Sequence, residues 1–251
     1  MHFPLEILLF LFVVGLFAGF VDSIAGGGGM IALPTLLALG VPPIASLATN
    51  KFQSTFGSFF ASLYYVRHKY AELNKMKLMI ILSFIGSMVG SFLMFNIDSG
   101  ILKILIPLMT FCIGMYFLFS PSIGSVDKNK KMSVIFFSLT FVLAIAFYDG
   151  FFGPGAGSFF ALTFVVFLGF NLTKATAHAK VLNFVSNLSS LIFYLFFAKI
   201  YYGAGLVMAL GQVIGASLGA KLAIKKGQKL IRFFIVLVSF AIFGKWMYGQ
   251  F

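Results

Sequence analysis

Asp22-Ser23-Ile24-Ala25-Gly26-Gly27-Gly28-Gly29 interrupts a run of apolar residues that begins at Leu5. Four successive glycines cannot continue an α-helix, because Gly lacks the restraint that a Cβ places on the backbone. A break of the same kind returns half a chain later as Asp149-Gly150-Phe151-Phe152-Gly153-Pro154-Gly155-Ala156-Gly157, where Pro154 also removes a backbone donor. Unwound backbone at membrane depth is tolerated only where protein buries it or water lines it. Two such breaks at corresponding points of two halves mark the binding site of a duplicated transporter.

The surrounding composition sets the class. Of 251 residues, 61% are hydrophobic and only 10% charged, with 35 Phe and a mean hydropathy of +1.05. That is more apolar surface than a soluble core of this length can bury, so a polytopic membrane protein is expected. Cys112 stands alone in an apolar run, which excludes a disulfide framework and a thiolate metal site and reads as a small hydrophobe in a helix. Only His2 and Glu6 flank the first apolar segment, no Lys or Arg precedes it and no small-x-small cleavage site follows, so a retained span is expected.

Apolar runs between polar or Gly/Pro interruptions form ten segments, near Leu5–Val21, Met30–Leu39, Leu47–Val66, Leu78–Phe95, Ile101–Phe119, Val134–Phe147, Ser158–Phe170, Val181–Phe197, Gly203–Ala223 and Leu230–Tyr248. A full span takes roughly 20 residues. The second and seventh are shorter, reaching about 15–20 Å at 1.5 Å per residue, and read as half-helices or as spans through a thin, protein-lined region. The repeat extends beyond the glycines. Gly40-Val41-Pro42-Pro43 through Asn50-Lys51 aligns with Gly169-Phe170-Asn171-Leu172 through Ala179-Lys180, and Gly86-Ser87-Met88-Val89-Gly90 aligns with Gly211-Gln212-Val213-Ile214-Gly215, a small-xxx-small spacing. Five segments per half turn the second copy over. The expected fold is an all-α polytopic membrane protein of two inverted five-segment repeats with glycine-broken helices, residues 1–125 and 126–251.

Charge tests the count. Basic loops at Arg67 to Lys77, at Lys128, Lys130 and Lys131, and at Lys221 to Arg232 fall on one side if all ten segments cross. If the second and seventh only dip in and out, the third loop lands opposite the others, against the positive-inside rule. Ten crossings with both termini outside and basic loops in the cytoplasm are therefore expected. The net charge of +12 is this bias plus attraction to anionic lipid, and nucleic acid is a poor partner for it.

The glycine runs resemble a phosphate loop only superficially, since no Gly-Lys-Ser/Thr follows and no βαβ pattern surrounds them. Free N–H groups at the start of a helix form an anion-binding concavity, which assigns Gly26, Gly27, Gly28, Gly29, Gly153, Gly155 and Gly157 to a substrate site. Close helix packing is the alternative use of these glycines. Lys51 and Lys180 hold matched positions in apolar surroundings, where an ammonium is expensive without an anion or carboxylate; the alternative is snorkelling to the interface. Asn50 and His178 complete the candidate set, with hydroxyl and amide neighbours Thr49, Gln53, Ser54, Thr55, Asn183 and Asn187, whereas Ser186 and Ser189 read as ordinary interhelical hydrogen-bonding groups. Asp22 and Asp149 precede the breaks as the carboxylates lying within the apolar segments. Each could exchange protons and couple transport to a proton gradient, or could simply cap the broken helix. His178 titrates in the physiological range and could share that role or be structural. No His/Asp/Glu cluster has metal-ligand spacing, no nucleophile is marked as activated and no cofactor is implied.

Gly19-Phe20-Val21-Asp22-Ser23-Ile24-Ala25-Gly26-Gly27-Gly28-Gly29, Ala48-Thr49-Asn50-Lys51, Gln53, Gly150-Phe151-Phe152-Gly153-Pro154-Gly155-Ala156-Gly157-Ser158 and Lys174-Ala175-Thr176-Ala177-His178-Ala179-Lys180 together resemble the TauE/SafE sulfite-exporter family over nearly the whole chain. The resemblance implies a bacterial inner-membrane permease for sulfite, sulfonates or other small organic anions. Many members carry Gly-x-Gly-Gly-Gly, whereas this chain has Ala25 at the first position and Ala156 inside the second run, small steric changes that bear on substrate more than fold. The expected function is a secondary transporter of a small anion, with no enzymatic activity, lying in the bilayer as a monomer or homo-oligomer; the alternative is a passive anion channel with the same pore.

Overall fold

The computed structural model describes residues 3–94, 111–112, 115–116, 118–119 and 124–248, and their regular structure is helical throughout. The expected segment Ile101–Phe119 falls mostly, and the 96–100 loop wholly, outside the described residues. We number the helices α1 (Leu5–Ala25), α2 (Gly29–Ala38), α3 (Pro43–Arg67), α4 (Lys77–Met94), α5 (Val134–Phe151), α6 (Ala156–Leu168), α7 (Leu172–Phe197), α8 (Tyr202–Lys226) and α9 (Gln228–Tyr248). Five of these, α1, α4, α5, α7 and α8, are long and apolar enough to cross a membrane; α2 and α6 are the short ones. Exposed Leu9, Val13 and Phe17 on α1, and Ile81, Ile85, Val89 and Phe92 on α4, recur every three or four residues as outward apolar stripes.

Helix ends follow the glycine and proline punctuation. Gly26 (φ 76°) turns left-handed at the end of α1 and returns its N–H to the Asp22 carbonyl at 2.8 Å; its counterpart Gly153 (φ 97°) also has positive φ after α5, but returns its N–H to the Tyr148 carbonyl at 3.2 Å. The matched Gly40 (φ 78°) and Gly169 (φ 70°) close α2 and α6. Pro43 then starts α3 at its first turn, while Asn171 starts α7 by accepting the Lys174 N–H.

Packing is exchanged between the halves. α1 lies along α8, and α5 lies along α4. In lipid no hydrophobic force drives helices together, so close approach over small residues has to supply the attraction. A Cβ on Gly19 would sit 2.5 Å from the Gln212 carbonyl oxygen, and Gly15, Gly211 and Gly215 press on facing backbone in the same way. In the second seam a Cβ on Gly86 would be 2.7 Å from the Leu143 carbonyl, and Gly90 and Gly150 continue the contact. Contacts Gly15–Met208, Gly19–Gln212 and Gly219–Ser23 rise together along both chains, so α1 and α8 run in the same direction.

Serines add a tie across α4 and α7: Ser83 donates to the Leu182 carbonyl at 3.0 Å, Ser87 to the Ser186 carbonyl at 2.6 Å and Ser189 to the Phe84 carbonyl at 2.7 Å. At the matched crossing of α8 over α3, Gln212 stands where the first half has Ser87. Its buried amide lies against Gly57, with no hydrogen-bond partner on either atom among the described residues.

At one end of the bundle Glu72, Lys75, Lys128, Lys130, Val134 and Lys174 line a common cavity, and Gly227 lies beside Thr173, so the three basic loops share that end. At the other end the Phe3 ring meets Tyr201 at 6.2 Å, and the Tyr201 N–H reaches the Thr49 hydroxyl. Thus α1–α2 forms a hairpin entering from the Tyr201 end, and α5–α6 one entering from the basic end. Their glycine tips touch inside the protein at Gly26 and Gly157. Each hairpin begins and ends at one end of the bundle, so the second and seventh segments do not complete the ten crossings expected from sequence, yet the basic loops still share one end because the first and sixth segments turn back with them.

Candidate functional site

α3 and α7 pack on one another and carry the two lysines into the interior. Lys51 Nζ lies 2.6 Å from Asp149 Oδ1 and 2.6 Å from the Asp149 carbonyl oxygen. Lys180 Nζ lies 2.8 Å from Asp22 Oδ2. The lysine of each half is thus paired with the aspartate of the other, across 98 and 158 residues of chain. Both ammonium groups are buried, and neither snorkels to an interface.

Burying two charges costs several kcal/mol per ion, repaid only when geometry is good and the remaining hydrogen bonds are made. Asn183 meets that requirement. Its Oδ1 accepts from Lys180 at 3.3 Å and its Nδ2 donates to Asp149 Oδ2 at 3.0 Å, so Lys51, Asp149, Asn183, Lys180 and Asp22 form one continuous network. The Ser186 hydroxyl also donates to Asp149 Oδ2, a closer engagement with the charged centre than an ordinary interhelical contact. Ser189, by contrast, makes such a contact with α4. Asp22 Oδ1 accepts the Gly28 N–H at 3.2 Å, so this carboxylate both pairs with a lysine and ties the helix break.

Between the breaks lies a polar chamber of about 20 Å³, with room for about one water molecule. Of the residues assigned from sequence, Asp22, Gly26, Gly29, Asn50, Lys51, Asp149, Gly153 and Gly155 line it. Gly27, Gly28, Gly157 and Lys180 do not line it; Gly28 holds Asp22, Gly157 backs Gly26, and Lys180 holds Asp22 from behind the wall. Ser54, Asn183 and Asn187 also line the chamber. The sequence marks them only as polar neighbours, although the register that matches Lys51 to Lys180 also matches Ser54 to Asn183 and so singles out that pair.

The glycines serve packing and access together. A Cβ on Gly26 would lie 2.5 Å from the Gly157 Cα, whereas one on Gly29 would meet nothing nearer than Asn50 Nδ2 at 3.5 Å. The starts of α2 and α6, at Gly29 and Ala156, adjoin the chamber and bring the positive ends of two helix dipoles to it.

His178 is not in this group. It lines the cavity of about 380 Å³ at the basic end, where its Nδ1–H donates to the Lys174 carbonyl at 2.8 Å and its ring packs on Phe164 and Phe170. In that cavity burial works to raise the Asp127 carboxyl, but the Asn171 N–H and the Lys174 ammonium hold it below the usual carboxylate range. Among the described residues no three His, Cys, Asp or Glu side chains gather as a metal site.

A family model described as Sulfite exporter TauE/SafE matches residues 11–245. The chain is similar to "Probable membrane transporter protein YfcA" of Escherichia coli K12, 46% identical over 240 residues that cover 96% of this chain and 89% of that protein. It is 44% identical over 250 residues to a "Probable membrane transporter protein" of Haemophilus influenzae, covering 100% and 98% of the two chains. A more distant relative, "Probable membrane transporter protein YunE" of Bacillus subtilis, is 25% identical over 248 residues, covering 88% of this chain and 90% of that one. No solved structure matches the chain.

Proposed function

We propose that this chain, a membrane transporter that belongs to the sulfite exporter TauE/SafE family, is a proton-coupled secondary transporter of a small anion such as sulfite or a sulfonate. The observation that carries this reading is the exchanged pair of ion pairs at the glycine breaks. Two buried ammonium groups, balanced by two carboxylates, meet beside two helix N-termini around one polar chamber. An anion entering there competes with a carboxylate for an ammonium, and a proton delivered to that carboxylate makes the exchange possible without leaving a bare charge.

The halves, residues 1–125 and 126–251, act in this reading as inverted repeats, supported by the matched left-handed glycines and the reciprocal packing of α1 on α8 and α5 on α4. The basic loops lie in the cytoplasm of a bacterial cell, with the protein in the inner membrane and both termini outside. A chamber of about 20 Å³ is too small for an oxyanion, which favours a carrier that opens over a channel with a standing pore.

Flux of sulfite into vesicles containing the purified protein tests this. The carrier predicts saturable flux that follows a pH gradient. Unsaturable flux at channel-like conductance, unmoved by the gradient, would replace it with the channel. A thermal-shift panel of sulfite, sulfate, thiosulfate, sulfonates and small carboxylates then ranks substrates, since a ligand that binds only the folded state raises its midpoint.

A further inference from the structure

We propose that the two ion pairs divide the work: Lys51–Asp149 stays closed, and Asp22–Lys180 is the pair that opens, with Asp22 taking up a proton and releasing the Lys180 ammonium to the anion. This rests on the anion-transport reading above and adds which carboxylate and which lysine exchange.

The pairs are chemically alike but held differently. Asp149 accepts from three side chains, Lys51 on Oδ1 and both Asn183 and Ser186 on Oδ2, while its carbonyl takes a second bond from Lys51. Its side chain is 2% exposed. Protonation of Asp149 weakens three bonds to its carboxylate, and drawing Lys51 away breaks two bonds at once.

Among the described residues Asp22 accepts from one side chain, Lys180, and from the Gly28 N–H at 3.2 Å. Its side chain is 13% exposed and lines the chamber. Protonation there removes the charge that holds one side chain, Lys180, and the freed ammonium keeps Asn183 Oδ1 as an acceptor. Lys180 also has the bare backbone of Gly157 beside it, where a Cβ would lie 3.2 Å from Nζ, so there is no side chain on that flank to fill the space.

The charged and titratable groups around Asp22 are consistent with this. From α7 come Lys180 and the neutral Asn183; from α3, Tyr65, whose hydroxyl donates to the adjacent Ser23 carbonyl, and Lys51 across the chamber; from α5, Asp149 across the chamber. The exchange balances. Carboxylate paired with ammonium, plus one proton and one monoanion, becomes carboxylic acid plus ammonium paired with the anion, so the site gains no net charge. Proton and monoanion then move together, electroneutrally.

Two measurements on the purified protein in lipid nanodiscs decide it. In infrared difference spectra on acidification, the carbonyl band of a protonated interior carboxyl group is expected in the parent and in Asp149→Asn, and is expected to vanish in Asp22→Asn. The band surviving in Asp22→Asn overturns the assignment, and this holds even if Asp149→Asn does not fold. In the second, the affinity for methanesulfonate, which carries no titratable group of its own, is expected to rise about tenfold per unit fall in pH in the parent, as uptake of one proton requires. It is expected to become flat within about twofold in Asp22→Asn. A pH slope that persists in Asp22→Asn also overturns it. A parent that binds no methanesulfonate counts against the anion reading for sulfonates, while the infrared band still decides the role of Asp22.

Discussion

Gly26 and Gly157 meet backbone to backbone, each occupying the space where the other's side chain would begin. The tips of two hairpins entering from opposite ends of the bundle are therefore fastened by the absence of side chains. Gly26→Ala and Gly157→Ala are expected to lower the thermal midpoint, by roughly 1–3 kcal/mol of overpacking each, with further strain at Gly26 from its positive φ. Gly29→Ala, whose Cβ finds only ordinary contact, is expected to leave the midpoint within error yet weaken anion binding, because its methyl faces Asn50 in the chamber. Melting curves with and without ligand separate the two effects. Full affinity in Gly29→Ala would move the site away from this wall.

Removing one partner of a buried pair costs more than removing both. Lys51→Gln leaves Asp149 charged and uncompensated in the interior, an expected loss of about 3–5 kcal/mol. The double change Lys51→Gln with Asp149→Asn is expected to recover much of that loss, since no bare charge is left. A double-mutant cycle on detergent-purified protein measures the coupling, and additive losses would show that the pair observed at 2.6 Å is energetically idle. Asn183→Leu removes both the donor to Asp149 and the acceptor for Lys180, and is expected to destabilise by about 1–3 kcal/mol.

Cysteine accessibility checks orientation. Cys112 is exposed, so the background has to be Cys112→Ser. Asn129→Cys at the basic end is expected to react with an impermeant thiol reagent only after the inner face is opened. Gly203→Cys, where a side chain meets nothing within 4 Å, is expected to react from outside in intact cells. Labelling of both positions from the same side would contradict the opposite-end placement.

The glycine breaks, the repeat and the paired positions of Lys51 with Lys180 and Asp22 with Asp149 are all legible in the chain, because each is a departure from an apolar background. What is not legible is who pairs with whom. Spacing shows that Lys51 corresponds to Lys180, but only the crossing of α3 and α7 beside two interlocked hairpins shows that Lys51 faces Asp149 rather than Asp22. His178 illustrates the converse difficulty. It lies two residues from Lys180, yet the helical turn carries its ring to the basic cavity, away from the chamber. Gln212 could not be anticipated either, since a polar residue inside a small-xxx-small stretch gives no sign that the facing position, Gly57, offers it no partner.

The exchanged ion pairs also bear on how the protein is made. Synthesis proceeds from the N-terminus, so Asp22 and Lys51 enter the bilayer before Asp149 and Lys180 exist. Until α5 and α7 follow, the nascent first half carries a carboxylate and an ammonium without their final partners in a medium where neither is cheap to hold. The second half thus completes the first by giving each of its two charges a partner, and a ribosome that stops between the repeats leaves a carboxylate and an ammonium without their native partners in the membrane.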